Sequence, residues 1–182
     1  MTAMHVKLSL LLTLVVAPVT AQELGVFGPT ESGNYACWKR DYDAAHLASH
    51  PDQLVTNMSL VVDFPTEAEA REFSSFYDFS LDATLRGGKS GNGSGTCTPS
   101  GDGTGMVCGI DCDGGGVAVG IRDDGSVLVD LEHYGYIRLD GECAGGDEAD
   151  TFPLEAGVDD KTFLLHPVTG KACRNIAPDW MR

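Results

Sequence analysis

From residue 54 onward the chain alternates. Leu54, Thr56, Met58, Leu60, Val62 and Phe64 put a nearly unbroken apolar series on one side of an extended segment, with Asn57, Ser59 and Asp63 on the other. Tyr77, Phe79, Leu81, Ala83 and Leu85 repeat the pattern against Asp78, Ser80, Asp82 and Thr84. A period of two marks a strand with one face on a core and one in water. Shorter extended stretches follow over 106–112, 117–121, 127–131 and 136–139, and an apolar run over 162–165 supplies a closing strand before Cys173. The intervening Asp113-Gly114-Gly115-Gly116, Asp123-Asp124-Gly125 and His133-Tyr134-Gly135 are turns, since Gly supplies the positive φ that tight hairpins need. The expected fold is all-β, an antiparallel meander of about seven or eight strands forming a small barrel or a sandwich.

Helical signals are brief. Asp43 is placed to cap a helix over 44–49 that must stop near Pro51, and Thr66-Glu67-Ala68-Glu69 is a capping-box pattern that 68–73 could continue. Gly87–Gly95 (GGKSGNGSG) and the acidic stretch 141–150 read as flexible loops.

Composition adds a compartment. Lys7 followed by the apolar run Leu8–Ala17 and then Val19-Thr20-Ala21 has the layout of a secretory leader with a cut after Ala21. The run is ten residues long, against the roughly 20 needed to span a bilayer, so no membrane span is expected once the leader is gone. Residues 22–182 then form one domain, periplasmic or secreted. Removing the leader, which holds one Lys and no acid, leaves 161 residues and takes the formal charge from −15 to −16. A chain with 27 Asp and Glu against 12 Lys and Arg excludes nucleic acid as a main partner and favours a basic protein or a cationic ligand.

All six cysteines, Cys37, Cys97, Cys108, Cys112, Cys143 and Cys173, follow the leader, and an even count in an exported chain reads as disulfides. If 106–112 is one regular strand, Cys108 and Cys112 lie about 13 Å apart on the same face and cannot bond to each other. The expected pairing is Cys97–Cys108 across a hairpin, Cys112–Cys143, and Cys37–Cys173 tying the two ends. No C-x2-C pair supports a zinc site.

Candidate chemistry is sparse. Ala83-x4-Gly88-Lys89-Ser90 imitates a phosphate loop, but the Gly- and Ser-rich sequence after it cannot supply the helix that such a loop needs. His46 and His50 have the i, i+4 spacing of metal-binding or catalytic pairs, which makes a hydrolase the least favoured of three readings; Leu47 stands where a zinc protease has its glutamate. Asp111, Asp113, Asp123 or Asp124 on glycine-rich turns could hold calcium in a looser β-loop site, although the sequence departs from the helix–loop–helix calcium pattern at Gly115 and Arg122. Tyr35, Trp38, Tyr42, Phe76, Tyr134, Tyr136 and Trp180 could line a small-molecule cavity, with core packing the simpler role. No G-x-S-x-G elbow occurs. These features favour a non-enzymatic recognition module, with no cofactor other than calcium in view; a small-molecule- or calcium-binding barrel is the alternative.

The segments Tyr42-Asp43-Ala44-Ala45-His46-Leu47-Ala48-Ser49-His50-Pro51, Cys108-Gly109-Ile110-Asp111-Cys112-Asp113-Gly114-Gly115 and Asp159-Asp160-Lys161-Thr162-Phe163-Leu164-Leu165 resemble stretches of small exported proteins of unassigned function from Gram-negative bacteria. That resemblance implies no activity, ligand or catalytic residue.

Overall fold

A computed structural model of the chain describes residues 35–63, 77–139 and 152–181. The leader over 1–21, the capping-box segment over 66–73, the loop over 141–150, Phe76 and Cys143 lie outside them. Among the described residues, ten strands and two short helices follow in order: β1 (Tyr35–Asp41), α1 (Ala44–Ser49), β2 (Val55–Asp63), β3 (Tyr77–Leu85), β4 (Ser90–Pro99), β5 (Gly105–Gly109), β6 (Gly116–Ile121), β7 (Val127–Asp130), β8 (Tyr136–Leu139), β9 (Phe152–Glu155), β10 (Thr162–Val168) and α2 (Gly170–Ile176), then a 3-10 turn over Asp179–Met181. Eight of the strands close a barrel in the order β1-β10-β7-β6-β5-β4-β3-β2, and every neighbouring pair is antiparallel. It is an up-and-down meander with one interruption: between β7 and β10 the chain leaves the wall to make the two-stranded hairpin β8–β9.

Closure decides the barrel over the sandwich. An eight-stranded barrel has an interior just wide enough for side chains to fill, and here Met58, Leu60, Phe79, Leu81, Met106, Val119, Val129, Phe163 and Leu165 fill it. Asp78, Ser80, Asp82 and Thr84 alternate with β3's inward-facing residues on the outer face, where Ser80 alone is covered. An apolar inside and a polar outside reverse the arrangement of a lipid-facing barrel.

The largest departure from the sequence reading is β4. The stretch expected to be a flexible loop is a wall strand from Ser90 onward, and only its first residues make the β3–β4 turn, with Gly87 and Gly88 at φ 90° and 86°. Gly91, Gly93 and Gly95 recur with period two and face Ala83, Leu81 and Phe79 across the β3–β4 ladder. Their missing side chains leave room for backbone. A Cβ on Gly95 would stand 2.2 Å from the Gly109 carbonyl oxygen, and one on Gly93 would stand 2.7 Å from Ile110 Cδ1 and 3.1 Å from the Arg138 carbonyl oxygen. Glycine periodicity therefore marks a strand against which other backbone is pressed, which an apolar-period search cannot register. The same space admits the β8–β9 hairpin, whose Ile137, Leu139, Phe152 and Leu154 join the barrel core and stopper one end. The stretch 136–139 is thus a strand, as expected, but belongs to the stopper and not to the wall.

Two further expectations are corrected. The stretch 106–112 is not one regular strand: β5 ends at Gly109, and Cys112 and Asp113 both turn through φ 59°. Inside and outside also swap where β2 begins, because a register shift between Val55 and Asn57 buries Val55 and leaves Leu54 53% exposed.

The cysteines staple this frame. Cys97 and Cys108 face each other across β4 and β5, and Cys37 on β1 bonds Cys173 on α2, as the sequence led one to expect. The second bridge holds α2 on the outer wall, where Cys37, Val61, Cys173, Ala177 and Met181 form a small cluster of their own. Cys112 is disulfide-bonded; its expected partner Cys143 falls outside the described residues. At the end of the barrel away from the stopper, Trp38 points inward from β1 and donates its indole N–H to the Gly125 carbonyl in the β6–β7 turn, 2.9 Å away.

Candidate functional site

The strand directions sort the candidate residues by barrel end. Asp111 and Asp113 precede β6 and Asp123 and Asp124 follow it, so the two pairs are about 20 Å apart at opposite ends of a six-residue strand. They do not make one calcium site. Asp124 Oδ1 accepts from both the backbone N–H and the hydroxyl of Ser126, at 3.0 and 2.5 Å. The hydroxyl bond above all, then the N–H bond, holds its carboxyl below the ordinary range. That is turn chemistry, repeated at the β4–β5 turn, where Ser100 and Thr104 hold the Asp102 carboxyl down to about 2. Among the described residues no three His, Cys, Asp or Glu side chains converge as a metal site. Of the aromatic residues, Trp38 and Tyr77 pack in the core, while Tyr134 and Trp180 are exposed.

His46 and His50 sit at the stoppered end. Asp43 caps α1 as expected, its carboxylate accepting the His46 N–H at 2.8 Å. The other end of α1 is fixed by Arg86 from the β3–β4 turn, which donates to the Leu47, His50 and Gln53 carbonyls at 2.7, 2.9 and 2.5 Å. The Leu47 carbonyl is one that a short helix would otherwise leave unpaired, and the His50 carbonyl also accepts the Gln53 N–H at 3.2 Å. Held at both ends, α1 stacks three rings in a row: Tyr42 on His46 with centroids 4.7 Å apart, and His46 on His50 at 4.2 Å and 17°.

The hydrogen bonds define the imidazole tautomers. The buried Gln53 amide donates to the Val55 carbonyl, so its oxygen faces His46 and accepts from His46 Nε2–H at 3.0 Å. His46 Nδ1 is then the lone-pair nitrogen. His50 Nδ1 donates to the His46 carbonyl at 2.9 Å, leaving Nε2 as its lone pair. Ser49 stands 3.1 Å from His50 Nδ1 but gives its hydroxyl proton to the His46 carbonyl, so His50 does not activate it as a nucleophile.

These rings line one wall of a concavity of about 220 Å³. It exists because β1 and β10 part company: they pair only over Cys37–Lys39 and His166–Val168, and beyond Lys39 the two strands diverge toward the stoppered end. Arg40 and Tyr42 border the notch from the β1 side, Thr162 and Leu164 from β10, and Asp159 from the loop before β10. Burial pushes the Tyr42 phenol up against a smaller opposing pull from Arg40, so it stays protonated as a donor. The His46/His50 spacing and Tyr42, one of the candidate cavity aromatics, hinted at this site; Arg40, Gln53 and Asp159 carry no local motif and come together through the barrel.

Beside the notch, Asp160 has an architectural part. Its carboxylate, 2% exposed, accepts the N–H groups of Leu54 and Val55 at 2.5 and 3.2 Å, tying the loop before β10 to the start of β2. Burial pushes its carboxyl up, more than the two N–H groups pull it down. A raised folded value means that the fold favours the protonated form. The stability gained this way is complete below the unfolded value and is lost as pH rises through the folded one. Asp160→Ala should cost about 1–3 kcal/mol by leaving buried N–H groups unpaired. The wild-type advantage over the variant should grow as pH falls from neutrality toward 4, in urea titrations at stepped pH. A difference that shrinks with acid would refute the assignment.

No protein-family model matches the chain, and no curated protein or solved structure does so either.

Proposed function

We propose that this chain is an exported recognition module, periplasmic or secreted, that binds a basic protein or cationic ligand from its outer surface and is not an enzyme. The observation that carries this reading is the filled interior. With apolar side chains packed through the barrel and the β8–β9 hairpin stoppering one end, binding falls to the wall and the two rims. Exposed acids crowd both rims, Asp43, Asp52, Asp111 and Asp113 at the stoppered end and Asp102, Asp123 and Asp124 at the other. A rigid, stapled scaffold with this charge would steer a cationic partner by raising its encounter rate.

Surface-immobilised protein tested against a panel of basic and acidic proteins should bind basic members only. Association should slow about tenfold between low and physiological salt as the charges are screened. Replacing Asp111 and Asp113 by Lys, and in a second variant Asp123 and Asp124, should identify the rim used by selective loss of association. Failure of every basic protein to bind at low salt rules the reading out.

A further inference from the structure

The notch between β1 and β10 contains two opposite charges that leave each other unpaired. Arg40 is half-buried, and among the described residues no carboxylate lies within ion-pair distance of it. Its Nε is buried without a hydrogen-bond partner, while its Nη1 donates to His166 Nε2 at 2.8 Å, a neutral acceptor. Its guanidinium lies over the Tyr42 ring, 5.3 Å from the centroid. Asp159 borders the same space, half-buried, with no described ion-pair or hydrogen-bond partner. Among the described residues no arginine makes an ion pair, but Arg86, Arg122, Arg138 and Arg174 are exposed to water and Arg40 alone is half-buried. Half-buried charges are ordinarily paired because desolvation otherwise goes uncompensated.

We propose that the notch binds a small zwitterion of the α-amino-acid type, its carboxylate on Arg40 and its ammonium toward Asp159. A dipolar molecule satisfies both charges at once, whereas a simple anion meets Asp159 as a repulsion and a simple cation meets Arg40. The volume of about 220 Å³ would hold about seven water molecules at roughly 30 Å³ each, room for one α-amino acid together with part of its hydration water. The lone pairs of His46 and His50 and the Thr162 hydroxyl accept ammonium protons, the Tyr42 hydroxyl donates to carboxylate, and Leu164 offers apolar contact to a short side chain. This site goes beyond the outer-surface reading and does not depend on it.

Calorimetric titration of the oxidised protein with L-alanine, propionate and ethylamine tests the assignment, because the last two are alanine lacking one charge each. Alanine should bind at least about tenfold more tightly than either. Asp159→Asn should bring alanine down to the level of propionate, and Arg40→Gln should bring it down to that of ethylamine. If Arg40→Gln does not fold by far-UV circular dichroism, the near-isosteric Asp159→Asn decides alone. Alanine binding no tighter than its one-charge analogues, or unchanged by Asp159→Asn, overturns the proposal.

Discussion

Replacing Cys37 and Cys173 together by alanine is expected to lower the free energy of unfolding by about 5 kcal/mol, against about 3 kcal/mol for Cys97 and Cys108 replaced together. The difference follows from topology. The first bridge spans 136 residues and the second only 11, and the unfolded-chain entropy removed by a cross-link grows with the logarithm of the loop it closes. The packing context points the same way. Cys97 and Cys108 lie on paired wall strands that the ladder holds together without sulfur. Cys173 sits on a seven-residue helix with no side-chain N-cap bond, too short to be stable alone. Without its bridge, α2 retains only the small outer cluster around Val61, Ala177 and Met181. Urea denaturation of the two double variants gives the comparison. Equal losses, or a larger loss for the short bridge, would contradict the ranking.

The second large effect lies in β4. Gly95→Val should destabilise the protein by about 3 kcal/mol or more through overpacking, although valine is a far better strand former than glycine. The added Cβ collides with the Gly109 carbonyl oxygen, which belongs to the backbone and cannot rotate away. Gly120, also in a wall strand, has nothing within 4 Å of the position its Cβ would take. Gly120→Ala should therefore leave stability unchanged or raise it slightly, since a strand glycine is entropically unfavourable. Thermal melts of the two variants separate close backbone approach from propensity. If Gly95→Val is as benign as Gly120→Ala, the inner face of β4 at Gly95 is not in contact with the end of β5 and the start of the β5–β6 turn.

How far the fold was legible follows from what each signal measures. Alternation in 54–64 and 77–85 reports a face turned toward a core, and both stretches are barrel strands, β2 and β3. It says nothing of a strand whose inward residues are glycines, because Gly91, Gly93 and Gly95 bury backbone and not side chain. The short strands β1 and β9 and the helix α2 were missed for a related reason. Their side chains divide between the interior, the hairpin stopper and the outer cluster, and no single period describes them. The cap at Asp43 was readable because an N-cap is satisfied within three residues of itself.

The candidate site divides along the same line. The spacing of His46 and His50 puts them on one side of α1 whatever the rest of the chain does. Tautomer, stacking and neighbours were beyond reach, since Gln53, Arg86 and the divergence of β1 from β10 set them over separations of up to 126 residues. Likewise Asp111 and Asp123 look like neighbours in a sequence and are held apart by the length of β6.

By itself the sequence determined the all-β character, the polarity of the faces of β3 and of most of β2, and the helix cap, and it led to the two bridges Cys37–Cys173 and Cys97–Cys108 as expectations. These follow from periods, turn residues and cysteine order, which act over a few residues or limit the possible pairings. Only the tertiary structure decided that the sheet closes on itself, that glycines of β4 admit a stopper, and that Arg40 and Asp159 face one notch. Those outcomes depend on where backbones pass one another, and a linear pattern holds no record of that.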